Sequence, residues 1–407
     1  MSDQRHRPRL AVVSPFLDKS HGTERPVVEW IAHLCDRFEV HVYSQEVDDL
    51  DLSKIQWHRI PKLPGPHVLN FLWWFAANHL WRIWGRYTHS LRHDIVLTPG
   101  PNCFDADVVS VHIVFAEFLR CVRPELKFMR NPVGFWPRLL HRHLYYRLVI
   151  MLERHVYSDP RPVLVYIARK TAADVARFYG RRDRSPILYA GIDQEVFNPE
   201  RRLSLRETSR NILGLSDDRF VLLLVGNDLH KKGIRALLDA LKLLDNRPVD
   251  LLVAGSEDPG PFRTMAFGRA VGERVHFLPP RKDIEFYYAA ADVYVGPSLE
   301  DAYALPPAEA MACGIAAIVS SSAGVSEIIT NGVDGLILDD PTDAASLAGM
   351  ICRLYDDREF REGLGRKAAE TARNFTWKQN GRELTAIFEE ILRRKSRLQG
   401  QTLIQES

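Results

Sequence analysis

The 407 residues exceed what one hydrophobic core usually supports, so two domains of ordinary size are expected. Hydrophobic residues at 46% and charged residues at 26% match the globular average and exclude a disordered, collagen-like or coiled-coil chain. A formal charge of +2 is too mild to point to nucleic acid, and five scattered cysteines without a C-x-x-C pair offer no zinc spacing and fit a reducing compartment.

The polar N-terminus MSDQRHRPRL runs straight into the apolar run Leu10–Val13, so no signal peptide or spanning helix is expected there and the protein is expected to be cytoplasmic. Leu10–Val13, Val40–Tyr43, Ile95–Thr98, Val108–His112 and Val163–Ile167 read as strands, most of them separated by amphipathic segments. Within this series His67–Trp84 (HVLNFLWWFAANHLWRIW) has about the length of a membrane span, but two His, two Asn and an Arg interrupt it. With Lys62, Arg82 and Arg86 close by, it reads either as a helix lying in a bilayer interface at the inner face of the cytoplasmic membrane, or as a helix buried between domain elements.

Gly191–Leu203 (GIDQEVFNPERRL) breaks the pattern at Pro199 and is read as the interdomain crossover, with the boundary near residue 200. A second series follows: Phe220–Val225, Asp250–Ala254, Val275–Leu278, Val293–Val295, Ala316–Val319 and Gly335–Leu338. Helices are expected over Asp343–Tyr355, Arg358–Asn374 and Thr376–Arg394, then a frayed tail. Alternating strands and helices predict two doubly wound parallel sheets, whose ligands bind at strand-to-helix turns.

Three such turns carry candidate chemistry. After the first strand, SPFLDKSHGTERPVVEW has a single loop glycine, Gly22, before a helix start that suits an anion or forms a plain turn. After Phe220–Val225, Gly226 and Gly233 bracket Asn227, His230, Lys231 and Lys232. Two cations at a helix N-terminus oppose the helix dipole, so a bound phosphate explains them better than helix stability does, although a solvated lysine pair has the same sequence. After Val293–Val295, Asp301 and Glu309 are separated by seven intervening residues, the second in a helix opened by Pro306–Pro307.

The run Asp301, Ala302, Tyr303, Ala304, Leu305, Pro306, Pro307, Ala308, Glu309, Ala310, Met311, Ala312, Cys313, Gly314 resembles the signature of the retaining glycosyltransferase family 4, also called glycosyl transferase group 1. The resemblance extends over nearly the whole chain: VGNDLHKKG is similar to the family's phosphate-binding turn, SHGTER to its N-terminal glycine loop, VVSVHIVF to its active-site histidine strand, and RNFTWKQNGRELTAIFEEIL to its closing helix. It implies the GT-B architecture, two Rossmann-like doubly wound domains facing across a cleft with a C-terminal helix packing back on the first. The expected domains are an acceptor domain over 1–199, a nucleotide-sugar domain over 200–375, the returning helix over 376–397 and a tail over 398–407.

By the same resemblance Glu309 holds the ribose hydroxyls, Lys232 neutralises the diphosphate, and Asp301 and His112 face the donor sugar. Gly22, Gly226, Asn227, Lys231, Tyr303, Ala304, Leu305 and Pro306 line the donor. Asn227 stands where the family favours Arg, His21 and the two alanines stand where it favours glycine, and either Asp301 or Glu300 fills the first acidic position. The alanines are expected to adopt conformations that alanine tolerates. The helix start at Ser322–Gly324 is expected to help hold the diphosphate, and Leu278–Lys282 to read the base.

The implied reaction is front-face, retaining transfer from a UDP- or GDP-sugar to a glycan or lipid-linked acceptor in envelope or polysaccharide synthesis, such as a lipopolysaccharide core. No cofactor and no metal is expected, because no D-x-D motif is arranged for one. Partners are the nucleotide-sugar donor, that acceptor and a membrane surface touched by 67–84, with no nucleic acid. A nucleotide-sugar epimerase shares the architecture without needing the EAMACG pattern, and a catalytically degenerate sugar-nucleotide-binding scaffold is the alternative from another class.

Overall fold

The computed structural model describes residues 7–19, 22–88, 91–122, 136–244 and 247–405. They divide into two compact units, Met1–Gly191 with Trp377–Ser407, and Ile192–Thr376.

The first unit runs β1 (Arg9–Val13), β2 (Phe16–Leu17), α1 (Arg25–Leu34), β3 (Glu39–Ser44), β4 (Glu46–Val47), β5 (Ile55–Arg59), α2 (His67–Thr88), β6 (Ile95–Pro99), β7 (Val108–Val111), α3 (Phe115–Val122), α4 (Trp136–Ser158), β8 (Val163–Tyr166) and α5 (Arg169–Tyr179). Six strands form one all-parallel sheet in the order β5-β3-β1-β6-β7-β8, with β1 registered Leu10 to Val40 on one side and Leu10 to Ile95 on the other. Buried runs such as Leu10–Val13 are what a sheet covered on both faces requires. The sequence reading misses β5, IQWHR, and the short β2–β4 pair. Only Ile55 of β5 is fully buried, so the apolar run that marks its neighbours is missing.

The second unit runs α6 (Pro199–Ile212), β9 (Phe220–Val225), α7 (Ile234–Leu243), β10 (Val249–Ala254), α8 (Gly260–Gly268), β11 (Val275–Leu278), α9 (Glu285–Ala290), β12 (Val293–Gly296), α10 (Leu305–Ala312), β13 (Ala316–Ser320), β14 (Leu336–Leu338), α11 (Ala344–Asp356) and α12 (Arg358–Ala372). Its parallel sheet has the equivalent order, β11-β10-β9-β12-β13-β14. Leu222, Leu224, Leu251, Val253, Val293 and Ile318 are among the sheet's contributions to the core, and Leu237, Leu238 and Leu241 of α7 pack on it at helical spacing.

Pro199 does not break the pattern as the sequence predicts; it opens α6. Asn198 is the cap, its side chain accepting from Arg201 N at 2.8 Å, and proline suits the first helical turn because the missing N–H has no partner there. The unit therefore begins at Ile192, whose N–H donates to Phe375 O at 3.0 Å where the chain returns.

That return leads into α13 (Trp377–Gln405), which packs on α1 of the first unit. Phe388 meets Phe38 edge-on at 5.5 Å, and Trp30 Nε1 donates to Asn380 Oδ1 at 3.5 Å. The helix runs past the expected end at residue 397 because the Leu and Gln residues beyond it are good helix formers and one glycine, Gly400, is not enough to stop them. All five cysteines are free.

Candidate anion site at the reversal of the second sheet

Each strand order reverses once, between β1 and β6 in the first unit and between β9 and β12 in the second. Open α/β sheets bind ligands outside the carboxyl ends of the strands at such a reversal. In the second unit, the loops leaving β9 and β12 bring four charged side chains together there. Lys231 Nζ lies 2.8 Å from Glu300 Oε2, and Lys232 Nζ pairs with Asp301 Oδ2. Both carboxylates that are candidates for the first acidic position are thus paired, each with its own lysine. Leu299 N donates to Lys231 O at 2.8 Å and ties the two loops.

Two glycines permit the approach. Gly233 precedes α7 at φ +80°, and a Cβ there would sit 1.9 Å from the Pro297 carbonyl oxygen. Gly226, at φ +153°, lies under the Lys232 side chain, and a Cβ would meet Lys232 Cε at 2.7 Å.

Burial alone would raise the Asp301 carboxyl, but Lys232 and Lys231 outweigh it and hold the group below its ordinary value. Burial likewise pulls the Lys231 ammonium down, while Glu300 and Asp301 more than offset it. Asp301 is therefore a carboxylate and Lys231 an ammonium at neutral pH, and an anion entering here exchanges one set of negative partners for another.

The segment after Asp301 is held by its backbone. Gly324 N donates to Asp301 O at 3.1 Å, Val325 N to Tyr303 O at 2.7 Å and Ala323 N to Ser320 O at 3.1 Å. This corrects the expectation that Ser322–Gly324 offers backbone donors to a diphosphate: the N–H groups of 323 and 324 are already spent inside the protein. Ala304 is the other correction. It sits at φ +71°, ψ +94°, where a Cβ costs about 1–2 kcal/mol, so it occupies the kind of backbone a glycine would fill rather than one alanine tolerates.

Leu305, Pro306 and Pro307 form the first turn of α10, and Glu309 lies one turn further, 3% exposed. The Tyr288 hydroxyl lies 2.8 Å from Glu309 Oε2 and 3.1 Å from the Pro306 carbonyl, fixing the carboxylate's orientation. Burial and the Glu309 charge push the Tyr288 phenol well above its ordinary value, so it stays a donor. Tyr288 escapes sequence reading because FYYAA looks like any core-facing helix.

Asn227 Oδ1 accepts from both Ser256 N and Ser256 Oγ at 2.8 Å, which binds the β9 turn to the β10 turn. Below these turns a 330 Å³ pocket opens at the carboxyl ends of β9, β10 and β11, lined by Gly226, Gly255, Glu257, Arg263, Phe277 and the chain from Leu278 to Pro280. Glu257 Oε2 accepts from Leu229 N at 2.6 Å, and Arg263 lies 5.9 Å from the Phe277 ring centre. Leu278–Pro280 overlaps the stretch expected to read a base. Glu257 and Arg263 carry no spacing signal that sequence reading could use.

Gly22 and His112 belong to the first unit. A Cβ at Gly22 would meet no atom within 4 Å, and its neighbours Ser20 and His21 lie outside the described residues. His112 follows β7 with Nε2 3.0 Å from Ser110 Oγ and its ring 5.7 Å from Trp30. Burial pushes it down to about 4, so the imidazole is neutral at physiological pH. Among the described residues no three His, Cys, Asp or Glu side chains are grouped to hold a metal ion.

Residues 206–371 match the family model described as glycosyl transferases group 1. The chain is similar to D-inositol 3-phosphate glycosyltransferase of Corynebacterium efficiens, 30% identical over 244 residues that cover 57% of each chain. It is also 28% identical to an uncharacterized glycosyltransferase of Methanocaldococcus jannaschii over 211 residues, 51% of this chain and 54% of that one. The match thus spans little more than half the length of these curated relatives. In fold it is similar to WaaG, a glycosyltransferase involved in lipopolysaccharide biosynthesis, with a TM-score of 0.77 at 20% identity over 93% of this chain and 99% of that one. Anabaena HepE in complex with UDP and glucose superposes with a TM-score of 0.68 at 17% identity, covering 94% and 100%.

Proposed function

We propose that this chain, whose residues 206–371 match the glycosyl transferases group 1 family model and whose fold is GT-B, transfers a sugar, with retention, from a nucleoside-diphosphate sugar to a glycan or lipid-linked acceptor. The observation that carries this reading is the paired Lys231–Glu300 and Lys232–Asp301 cluster at the sheet reversal, beside a pocket large enough for a base. The donor's diphosphate takes the two ammonium groups, its ribose hydroxyls donate to Glu309, and its base enters the pocket walled by Leu278–Pro280. HepE is solved with UDP and with UDP-glucose, which supports a UDP-sugar as first choice, with GDP as the other.

In the transfer step the bond between the anomeric carbon and the diphosphate oxygen breaks, and the electron pair leaves with the diphosphate. Lys231 and Lys232 lie where that charge develops, so no metal is needed to neutralise it. The acceptor oxygen bonds to the same face of the anomeric carbon, and its proton passes to the departing phosphate oxygen. Asp301, released from Lys232, faces the sugar. Removing one charge-stabilising group typically costs about 100-fold or more in turnover.

The test is turnover: incubation with UDP- and GDP-sugars and lipid-linked or glycan acceptors, reading released nucleoside diphosphate and, by NMR, the product's anomeric configuration. Release that Lys232→Ala lowers about 100-fold, with a retained anomer, supports the assignment. An inverted anomer removes the front-face step, and no turnover with any acceptor leaves the scaffold.

A further inference from the structure

Helices α2 and α4 of the first unit each have an apolar face that the fold does not use. On α2, Phe71, Trp74, Ala77 and Gly85 are buried against the unit. On the opposite side Leu69, Leu72, Leu80, Ile83 and Tyr87 are 58%, 43%, 56%, 49% and 82% exposed. Their spacing of three or four, with one double step across Ala76, makes one continuous stripe about 27 Å long. One side of the helix is thus packed into the unit, and the other is left to solvent.

The arrangement repeats on α4, where Leu140, Leu144 and Met151 are 53%, 53% and 60% exposed and share a stripe with the exposed Arg147 and Arg154. The helices pack on each other: the rings of His67 and Phe71 meet Tyr145 edge-on at 4.8 and 5.7 Å, and Val68 N donates to His141 Nε2 at 3.3 Å. Contiguous aliphatic surface of this extent marks an interaction site.

Charge selects the occupant. α2 contains no Asp or Glu, and the one acid of α4, Glu153, is fully buried, whereas Arg86, Arg142, Arg147 and Arg154 all reach the surface. The whole chain carries only +2, so this excess is local. A second copy would oppose arginines with arginines. An anionic bilayer offers acyl chains to the leucines and phosphates to the arginines. No helix among the described residues is long and apolar enough to cross a membrane, so contact is confined to the surface.

We propose that α2 and α4 together form a docking surface for an anionic lipid bilayer, with Leu69, Leu72, Leu80, Ile83, Leu140 and Leu144 entering the acyl boundary and the arginines meeting lipid phosphates. This assignment is independent of the sugar-transfer reading and stands or falls without turnover. The experiment is flotation of the full chain with vesicles of phosphatidylcholine alone or mixed with phosphatidylglycerol, at low and high salt. Binding to the mixed vesicles only, released by salt, is expected. Arg147→Gln with Arg154→Gln should lower the partition about 30-fold, from about 1 kcal/mol per basic residue. Leu80→Ser with Ile83→Ser should also lower it, while thermal melts confirm that the variants fold; should the apolar pair unfold the chain, the arginine pair decides. Equal binding to both vesicle types, binding to neither, or no effect of the arginine pair overturns the proposal. So does a dimer in sedimentation velocity that Leu80→Ser with Ile83→Ser dissolves, which assigns the stripe to a second copy.

Discussion

At Ala304 the backbone holds φ +71° against its own side chain. Replacing Ala304 with Gly removes that opposition, and the second unit should gain about 1 kcal/mol, a rise of about 2–4 °C in its melting temperature. A fall in melting temperature would mean that the loop relaxes in solution. Gly233 is the converse case. A Cβ there overlaps the Pro297 carbonyl, a backbone atom that cannot swing aside, so Gly233→Ala should cost about 3 kcal/mol and shrink the rise in melting temperature that added nucleotide produces. Residue identities alone singled out Lys232, Glu309 and the acidic pair, and the structure brings Lys232 to Asp301 and Lys231 to Glu300. They could not show that Ala304 is strained, that Ala323 and Gly324 have spent their N–H donors, or that Tyr288 orients Glu309, since a dihedral angle and a tertiary hydrogen bond are not written in residue types.

At the scale of elements, the edge of the first sheet gathers three histidines. His41 on β3 lies with Nδ1 3.0 Å from Nε2 of His58 on β5, and His93, just before β6, stands edge-on to His41 at 5.0 Å. Tyr43 stacks on His58 at 4.5 Å, Glu39 is 3.3 Å from His41, and Arg9 and Arg82 add positive charge. Burial lowers all three histidines, with the neighbouring His41 and the arginines lowering His93 further; His58 lies at about 4 and His93 at about 3. Their folded values lie below the unfolded value of about 6.5, so this stability is present above that pH and is lost as pH falls through 6.5 toward 4.

Each proton taken up on unfolding should cost about 1.4 kcal/mol per pH unit in that window, and His58→Gln should flatten the slope in pH-dependent urea melts. Glu153 runs the other way. Burial raises it to about 7, against the hydrogen bonds from Tyr179 and from the Phe115 and Ala116 N–H groups, so its contribution is complete at low pH and lost as pH rises through 7. Glu153→Gln should therefore help most at pH 8. The strands that sequence reading found are those with buried apolar runs. It missed β5, which carries one of these histidines, because partly exposed strands of mixed residues resemble loops, and it misread Pro199 because a proline that breaks one helix suits the start of another.

At the scale of the whole molecule, two sheets of equivalent strand order carry different endowments. The second concentrates charge and a pocket at its reversal, and the first presents apolar helices and a neutral histidine. The alternation of strand and helix was enough to read both sheets, whereas which reversal is charged depends on loops that only the fold brings together. The central claim concerns the second reversal, and isothermal titration of UDP and GDP into wild type, Lys232→Ala and Glu309→Ala tests it most directly. One of the two nucleotides should bind wild type and lose about 100-fold in affinity to Lys232→Ala, about 2.7 kcal/mol, with a separate loss at Glu309→Ala. Absence of binding by either nucleotide to folded wild type, or equal binding to Lys232→Ala, would contradict the assignment of the paired lysines to a donor diphosphate.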